Sequence, residues 1–422
     1  MKVVLINNAD TKGGASRAAF ALTKALRKNE VAAEMFVQTK FGNSDFVHSA
    51  DNNVLASIYT LSRKAVDFAT INFLTISERG RFSFPIFGQN ISKNNIIENS
   101  DLLHLHWINE GFFSLNTFRK IAELNKPIVW TLHDMWAFTG GCHYSGECNN
   151  YLTECKNCPS LKFPGVKDLS YRIFKGKFIA YKNLNLQLVT CSNWLSGEVE
   201  KSKLLSNITV DVIPNPIDTE IYRPVDKKSA RKKLNLSVDK MLILFGTMTL
   251  KEERKGFLYL QKSLTILYNK YPELRSNIEV IVFGSFNKNE ISKIPFKANF
   301  FGRIKNVETL VNCYNSADVF VAPSLEDNLP NTVMESLACG VPVAAFNIGG
   351  MPDMIEHKKN GFLAVPKSAE SLADGILWLL KETKDFSRLN EYALNKVVEK
   401  FSPEIIGKKY KQLYLTLLSK NK

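Results

Sequence analysis

Residues 323–340 read PSLEDNLPNTVMESLACG, and the reading of this stretch decides how the rest of the chain is understood. Two acids, Glu326 and Asp327, precede a turn around Pro330, and a short apolar segment follows with Glu335 inside it. The plain reading is a capped helix start. Thr332-x-x-Glu335 fits a capping box, in which a hydroxyl and a carboxylate each satisfy a backbone donor. A second reading gives the same turn a ligand: N–H groups at a helix start attract phosphate, and a carboxylate one turn in accepts from sugar hydroxyls. The local pattern leaves both open.

The stretch continues an apolar run, DVFVAPS, that has many counterparts. KVVLINN, AEMFVQT, DLLHLHW, PIVWTLHD and LQLVTCS lie in the first half; MLILFGTM, EVIVFGS, ANFFGRI, VPVAAFN and GFLAVP join it in the second. Unbroken apolar strands occur where helices cover both faces of a parallel sheet. Helical periods such as Ala15–Lys28 and Phe257–Tyr268 separate them, so the pattern predicts two doubly wound α/β domains. Prolines in VIPNPIDTEIYRP mark the boundary, giving domains 1–210 and 211–400 and a terminal helix, 401–422, with Tyr410 and Tyr414 on one side. Ligands of such sheets bind beyond the carboxyl ends of the strands. Gly13-Gly14, His133-Asp134, Arg254-Lys255-Gly256 and Glu326-Asp327 all fall there, which predicts a cleft between the domains.

At 422 residues, 45% apolar and 23% charged, the chain is a folded protein too long for one core. No apolar run reaches the roughly 18 to 20 residues that cross a bilayer. MKVVLINNAD reads as a first strand and not as a signal peptide, so the expected location is the cytoplasm. A net charge of +14 asks for an anionic partner, although part of it is solvated surface. No zinc finger, RNA-binding signature or basic heptad helix is present, so nucleic acid is not the expected partner; phosphorylated substrates and an anionic membrane surface remain.

Gly13-Gly14 supplies backbone donors at a helix start, Arg254-Lys255 two cations, and His133 a donor or charge stabiliser. Each has a bland reading: a turn, an exposed charged face, a histidine bonded locally to Asp134. Together they suit a diphosphate leaving as an anion.

GGASRAAFALTKALRKN, WTLHD, VIPNPID, RKGFLYL, FFGRI and ADVFVAPSLEDNLPNTVMESLACGVPVAAFNIGGMPDMI, in this order, resemble a retaining GT-B glycosyltransferase of family 4. HLHWIN and TLHDMWAFTGGCHYSGEC resemble the colanic-acid and exopolysaccharide branch. The resemblance spans nearly the whole chain and implies two Rossmann-like domains facing across a cleft. It implies a nucleotide-diphosphate sugar held mainly by the second domain, a saccharide or lipid-linked acceptor on the first, and a terminal helix that crosses back. Catalysis would need no metal. Carried over residue by residue, Glu335 looks like the ribose carboxylate, Lys255 the pyrophosphate lysine with Arg254 beside it, Gly13 and Gly14 the loop over the phosphates, and His133 the histidine facing the sugar. Asn331 and Thr332 would offer backbone N–H groups. The family carries Glu where this chain has Asp327, preceded by Glu326, so either acid is the sugar contact. It also often carries Arg after the glycine ending the second domain's first strand, where Thr247 stands here. A nucleotide-sugar epimerase of the same fold and a non-catalytic basic scaffold are the alternative functions.

GCHYSGECNNYLTECKNCP places Cys142, Cys148, Cys155 and Cys158 in one loop, within 140–160. The spacing matches no standard finger; structural zinc is the leading reading, with free thiols or an iron–sulfur or redox site as the alternatives and His143 as a substitute ligand. The following LKFPGVKDLSYRIFKGKFIAYKN interleaves aromatic and basic residues and suits an anionic membrane surface, which would place the protein on the inner face of the cytoplasmic membrane.

Overall fold

The computed structural model describes residues 1–51, 54–76, 82–286, 293–382 and 387–420. Two compact units result, Met1–Pro216 with Pro403–Lys422, and Ile217–Ser402. The division falls after the 210/211 boundary expected from the prolines, because a short strand beyond it still belongs to the first sheet.

That sheet comprises β1 (Lys2–Ala9), β2 (Ala32–Thr39), β3 (Val47–Ser49), β4 (Leu102–Leu105), β5 (Ile128–Leu132), β6 (Leu186–Thr190) and β7 (Val210–Val212), in the order β3-β2-β1-β4-β5-β6-β7. The second sheet comprises β8 (Met241–Thr249), β9 (Ile278–Ser285), β10 (Lys297–Gly302), β11 (Val319–Ala322), β12 (Val343–Phe346) and β13 (Gly361–Ala364), in the order β10-β9-β8-β11-β12-β13. Every pairing in both is parallel. Each apolar run quoted above is a strand. The two that sequence reading missed, β3 and β7, are edge strands too short to show a period. Strand order reverses between β1 and β4 and again between β8 and β11, and these switch points open the crevices where doubly wound sheets bind ligands.

Helices seal both sheets. Leu22 and Leu26 of the helix Gly14–Lys28 pack on Val3 and Leu5, while Leu260, Leu264 and Leu267 of Phe257–Lys270 pack on Ile243 and Val280. Each such side chain withdrawn from water contributes about 1.5–3 kcal/mol, whereas an exposed ion pair contributes under about 1 kcal/mol. Apolar burial therefore fixes the architecture, and charges are left to shape its ends.

The final helix, Pro403–Lys420, packs in the first unit, where Ile406, Tyr410 and Tyr414 join the core of β1 and β2. Its two tyrosines reach a histidine inside the sheet. The Tyr414 hydroxyl lies 2.7 Å from His104 Nδ1, the Thr131 hydroxyl 2.7 Å from His104 Nε2, and the Tyr410 hydroxyl 2.8 Å from Thr131 Oγ1. Burial keeps His104 well below its usual pKa, so a neutral ring serves this chain of bonds. Tyr414→Phe should leave a buried ring nitrogen without its partner and destabilise the first unit by about 1–3 kcal/mol in urea denaturation; an unchanged midpoint would show the bond to be dispensable.

Candidate active site

At the second unit's switch point, β8 runs into a single 3₁₀ turn, Glu253–Lys255, and β11 runs into the acidic turn. Two glycines let the acidic turn meet its neighbours, Gly256 in the turn after β8 and Gly349 in the turn after β12. Gly256 has φ +70°, and a Cβ there would stand 1.8 Å from the Pro323 carbonyl oxygen; Gly349 has φ +51°, and its Cβ would stand 1.9 Å from that of Asp327. Any side chain would force the turns apart. The Leu325 N–H donates to the Arg254 carbonyl at 2.8 Å and the Gly350 N–H to the Asp327 carbonyl at 3.1 Å, closing the contact.

Cations and acid then interlock. Lys255 Nζ donates to Asp327 Oδ2 at 2.6 Å, and Arg254 Nη1 lies 3.3 Å from Oδ1 while donating to the Glu326 carbonyl at 2.6 Å. The Ser324 hydroxyl donates to Oδ2 at 3.2 Å. Burial would raise the Asp327 pKa, but Lys255 and Arg254 outweigh it and hold the carboxyl at about 2. Glu335, buried in the helix Asn331–Ala338, accepts from the Tyr314 hydroxyl at 2.7 Å. Thr247 Oγ1, at the end of β8, is buried without a hydrogen-bond partner.

The first unit's switch point gathers imidazoles. His106, just past β4, shares a 3.0 Å hydrogen bond between its Nδ1 and His133 Nε2, and the two rings stack. His106 Nε2 is buried and unpartnered. Burial pushes His133 down to about 4, against the pull of Asp134, and pushes His106 well below its usual range, so both are neutral at pH 7. Beside them Asp134 accepts from His143 Nδ1 at 2.6 Å, the Trp107 indole N–H at 3.0 Å and the Trp136 N–H at 2.9 Å. Gly13 caps the helix Gly14–Lys28 with φ 104°, and no atom stands within 4 Å of where its Cβ would be.

Two family models match the chain, Glycosyltransferase Family 4 over residues 12–221 and Glycosyl transferases group 1 over residues 226–396. The chain belongs to these glycosyltransferases. An uncharacterized glycosyltransferase of Methanocaldococcus jannaschii is 25% identical over 353 residues, 77% of this chain and 85% of its own length. An Escherichia coli protein provisionally named a colanic acid biosynthesis glycosyl transferase is 26% identical over 264 residues, 58% of either chain. Among solved structures, sucrose-phosphate synthase from Thermosynechococcus elongatus aligns with a TM-score of 0.68 at 17% identity, over 99% of both chains. Anabaena HepE in complex with UDP and glucose aligns at 0.63 and 15% identity, over 99% of this chain and all of the other. These likenesses establish the GT-B fold.

Within this glycosyltransferase, several residues sit otherwise than the sequence suggested. The capping box does not form: the helix starts at Asn331, its N-cap is Pro330 with no side-chain cap bond, and Glu335 lies deeper, on Tyr314. Thr332 is the helix's second residue. His133 is a neutral ring that shares a hydrogen bond with His106. Asp327 has both oxygens on cations, while the partly exposed Glu326 lends its carbonyl to Arg254. His143 has its two ring nitrogens on Asp134 and on Ser83 Oγ, at 2.8 Å, and so is no substitute metal ligand. Cys142, Cys148, Cys155 and Cys158 form no disulfide and line one pocket, and the Gly140 N–H donates to Cys155 Sγ at 3.1 Å. Burial raises the Cys155 thiol to about 12. Among the described residues, no three His, Cys, Asp or Glu side chains form a group that could hold a metal ion. His106 and Tyr314 went unassigned; the position of HLHW at the end of a central strand was the available signal for His106.

The histidine pair fixes a pH dependence. His133 takes up its proton near pH 6.5 when unfolded but only near pH 4 when folded, so stability falls as pH drops from 6.5 to about 4. His133→Gln should flatten that fall by up to about 1.4 kcal/mol per pH unit in denaturation series across the window; parallel curves for variant and wild type would place the titration elsewhere.

Proposed function

We propose that this glycosyltransferase moves a hexose, with retention of configuration, from a nucleotide-diphosphate sugar to a lipid-linked saccharide in bacterial exopolysaccharide, capsule or O-antigen assembly. The observation that carries the donor half is the convergence of Lys255, Arg254 and the acidic turn on the end of β11, with Glu335 in the helix that follows. Solved HepE holds UDP-glucose, and the Escherichia coli relative bears the name of a polysaccharide pathway, which supports the chemistry and its setting.

Lys255 and Arg254 neutralise the diphosphate, and the N–H groups of Asn331 and Thr332 at the helix start add their dipole. Asp327 is a positioning residue that holds both ammonium and guanidinium in place. Glu326 is then the acid we assign to the sugar hydroxyls. Glu335 exchanges Tyr314 for a ribose hydroxyl, and the unpartnered Thr247 hydroxyl donates to a donor oxygen. As the bond from the anomeric carbon to phosphate oxygen breaks, the leaving phosphate takes the acceptor hydroxyl's proton, and that oxygen bonds to the same face. Neutral His133 hydrogen-bonds the transferred sugar. Cations and dipoles suffice for the leaving group, so no metal enters the proposed step.

Thermal stabilisation against UDP-, GDP-, ADP- and dTDP-sugars should single out one nucleotide, with the shift lost in Glu335→Gln. Lys255→Ala should lower turnover by roughly 10²–10³-fold, as removal of a charge-stabilising group does. No shift with any nucleotide, or near-normal turnover in Lys255→Ala, would overturn the donor assignment.

The Cys-rich loop is read as a structural zinc site, with Cys142, Cys148, Cys155 and Cys158 as its donor set. Among the described residues the four sulfurs are not grouped as a metal site, and no catalytic step depends on the ion. Elemental analysis of unchelated protein should find about one zinc per chain, lost in Cys155→Ser. Metal-free protein whose four loop thiols all react with an alkylating agent would make the loop a free-thiol pocket.

A further inference from the structure

The helix Val54–Leu74 is packed inside out. Its buried residues are Thr60, Arg63 and Asp67, and its outward face is apolar. Twelve of its positions are exposed; ten of them are apolar or aromatic, two are Ser62 and Asn72, and none is charged. Leu55 is 78% exposed, Phe68 69% and Phe73 70%, with Ile58, Leu61 and Val66 between them. An ordinary surface helix turns the other way, polar side out.

The inversion is held by bonds. Arg63 Nη1 donates to the Gly111 carbonyl at 2.8 Å and Nη2 to Thr60 Oγ1 at 2.9 Å, and the Thr60 hydroxyl donates to Asp51 Oδ1 at 2.6 Å. Lys64 on the flank donates to Thr39 Oγ1 at 2.8 Å. At the other end, Lys162 Nζ donates to the Asn72 carbonyl and its N–H to that of Leu74. This brings the exposed Phe163 and Val166, with the exposed Lys162 and Lys167, to the helix's end.

We propose that this face lies on an anionic lipid surface. A contiguous apolar strip of this extent is uncommon on a monomer. A helix in the bilayer interface buries its apolar side among acyl chains and keeps cations at the headgroups. Lys64, Lys162 and Lys167 flank the strip on a chain of net charge +14, and each lysine near an anionic surface adds to binding. The helix lies on the membrane and does not cross it. Arg63 and Asp67 are committed to the protein side, and among the described residues no helix is long and apolar enough to span. The surface deepens the proposed use of a lipid-linked acceptor, but its test does not depend on that reading.

Full-length protein, without substrate, should float with vesicles of phosphatidylcholine and phosphatidylglycerol, release as salt rises, and bind phosphatidylcholine alone far less. Leu61→Glu with Phe68→Glu should weaken vesicle binding by at least about tenfold, and Lys162→Glu with Lys167→Glu should abolish the preference for anionic lipid. Both variants should keep the wild-type melting temperature and nucleotide response, which separates lost docking from lost folding or a failed donor site. Absence of vesicle binding, equal binding to neutral and anionic vesicles, or a dimer that Leu61→Glu with Phe68→Glu dissociates in sedimentation would each overturn the proposal, the last assigning the face to a second copy of the chain.

Discussion

A buried carboxylate can remain ionised only if cations come to it, and in the second unit that carboxylate is Asp327. Withdrawing a charge from water costs several kcal/mol unless partners compensate. Lys255, Arg254 and Ser324 supply them. Because Lys255 and Arg254 lie in a turn far away in sequence, their pairing ties the end of β8 to the end of β11. Gly256 lets the turn after β8 approach the Pro323 carbonyl, and Gly349, in the turn after β12, lets that backbone approach the Asp327 carbonyl. The geometry of two cations beside a helix start thus follows from satisfying one acid. It also explains why an Asp suffices at this position: a longer side chain would have to displace the cations that it holds.

The first unit solves a different problem at the equivalent place. Its strand ends carry imidazoles in place of cations, and burial keeps them neutral. A neutral ring exchanges a proton position without a change of charge, so it can donate to or accept from a hydroxyl group. His104, one strand position pair below His106, shows the same preference inside the core, where it serves only to bond Thr131 and Tyr414. The two sheets thus carry different residue types at their strand ends, cations around an acid in one and neutral imidazoles in the other.

Most of the fold was legible because parallel strands buried on both faces leave long apolar runs, as in KVVLINN and EVIVFGS. β3 and β7 were not, since three residues at an edge carry no period. Within the site, Lys255, Arg254 and Asp327 were legible as types at strand ends, but their mutual pairing was not: it depends on which turns touch. The capping box failed for a related reason. Its spacing is a local signal, while the buried Tyr314 hydroxyl is a tertiary partner that drew Glu335 away. His143 offered itself as a metal ligand by proximity in sequence to cysteines, yet the carboxylate of Asp134 claimed it.

The helix Val54–Leu74 was least legible, since its spacing of apolar residues is that of any amphipathic helix and does not say which side faces in. Folding energetics alone favour the opposite rotation. Each large apolar side chain turned inward would gain about 1.5–3 kcal/mol, whereas each of the hydrogen bonds around Arg63 contributes about 0.5–1.5 kcal/mol, or somewhat more where the guanidinium is charged. With Leu55, Ile58, Leu61, Val66, Phe68 and Phe73 all outward, the core gains less than it could. The inward rotation would strip Arg63 of the Gly111 carbonyl and Thr60 of the Asp51 carboxylate, polar groups that stand where an apolar socket would be needed. A chain that builds a polar socket for one side of a helix and leaves the apolar side in water is matched to a second solvent. On the proposed reading, the hydrocarbon edge of a charged bilayer supplies the burial that the protein's own core declines.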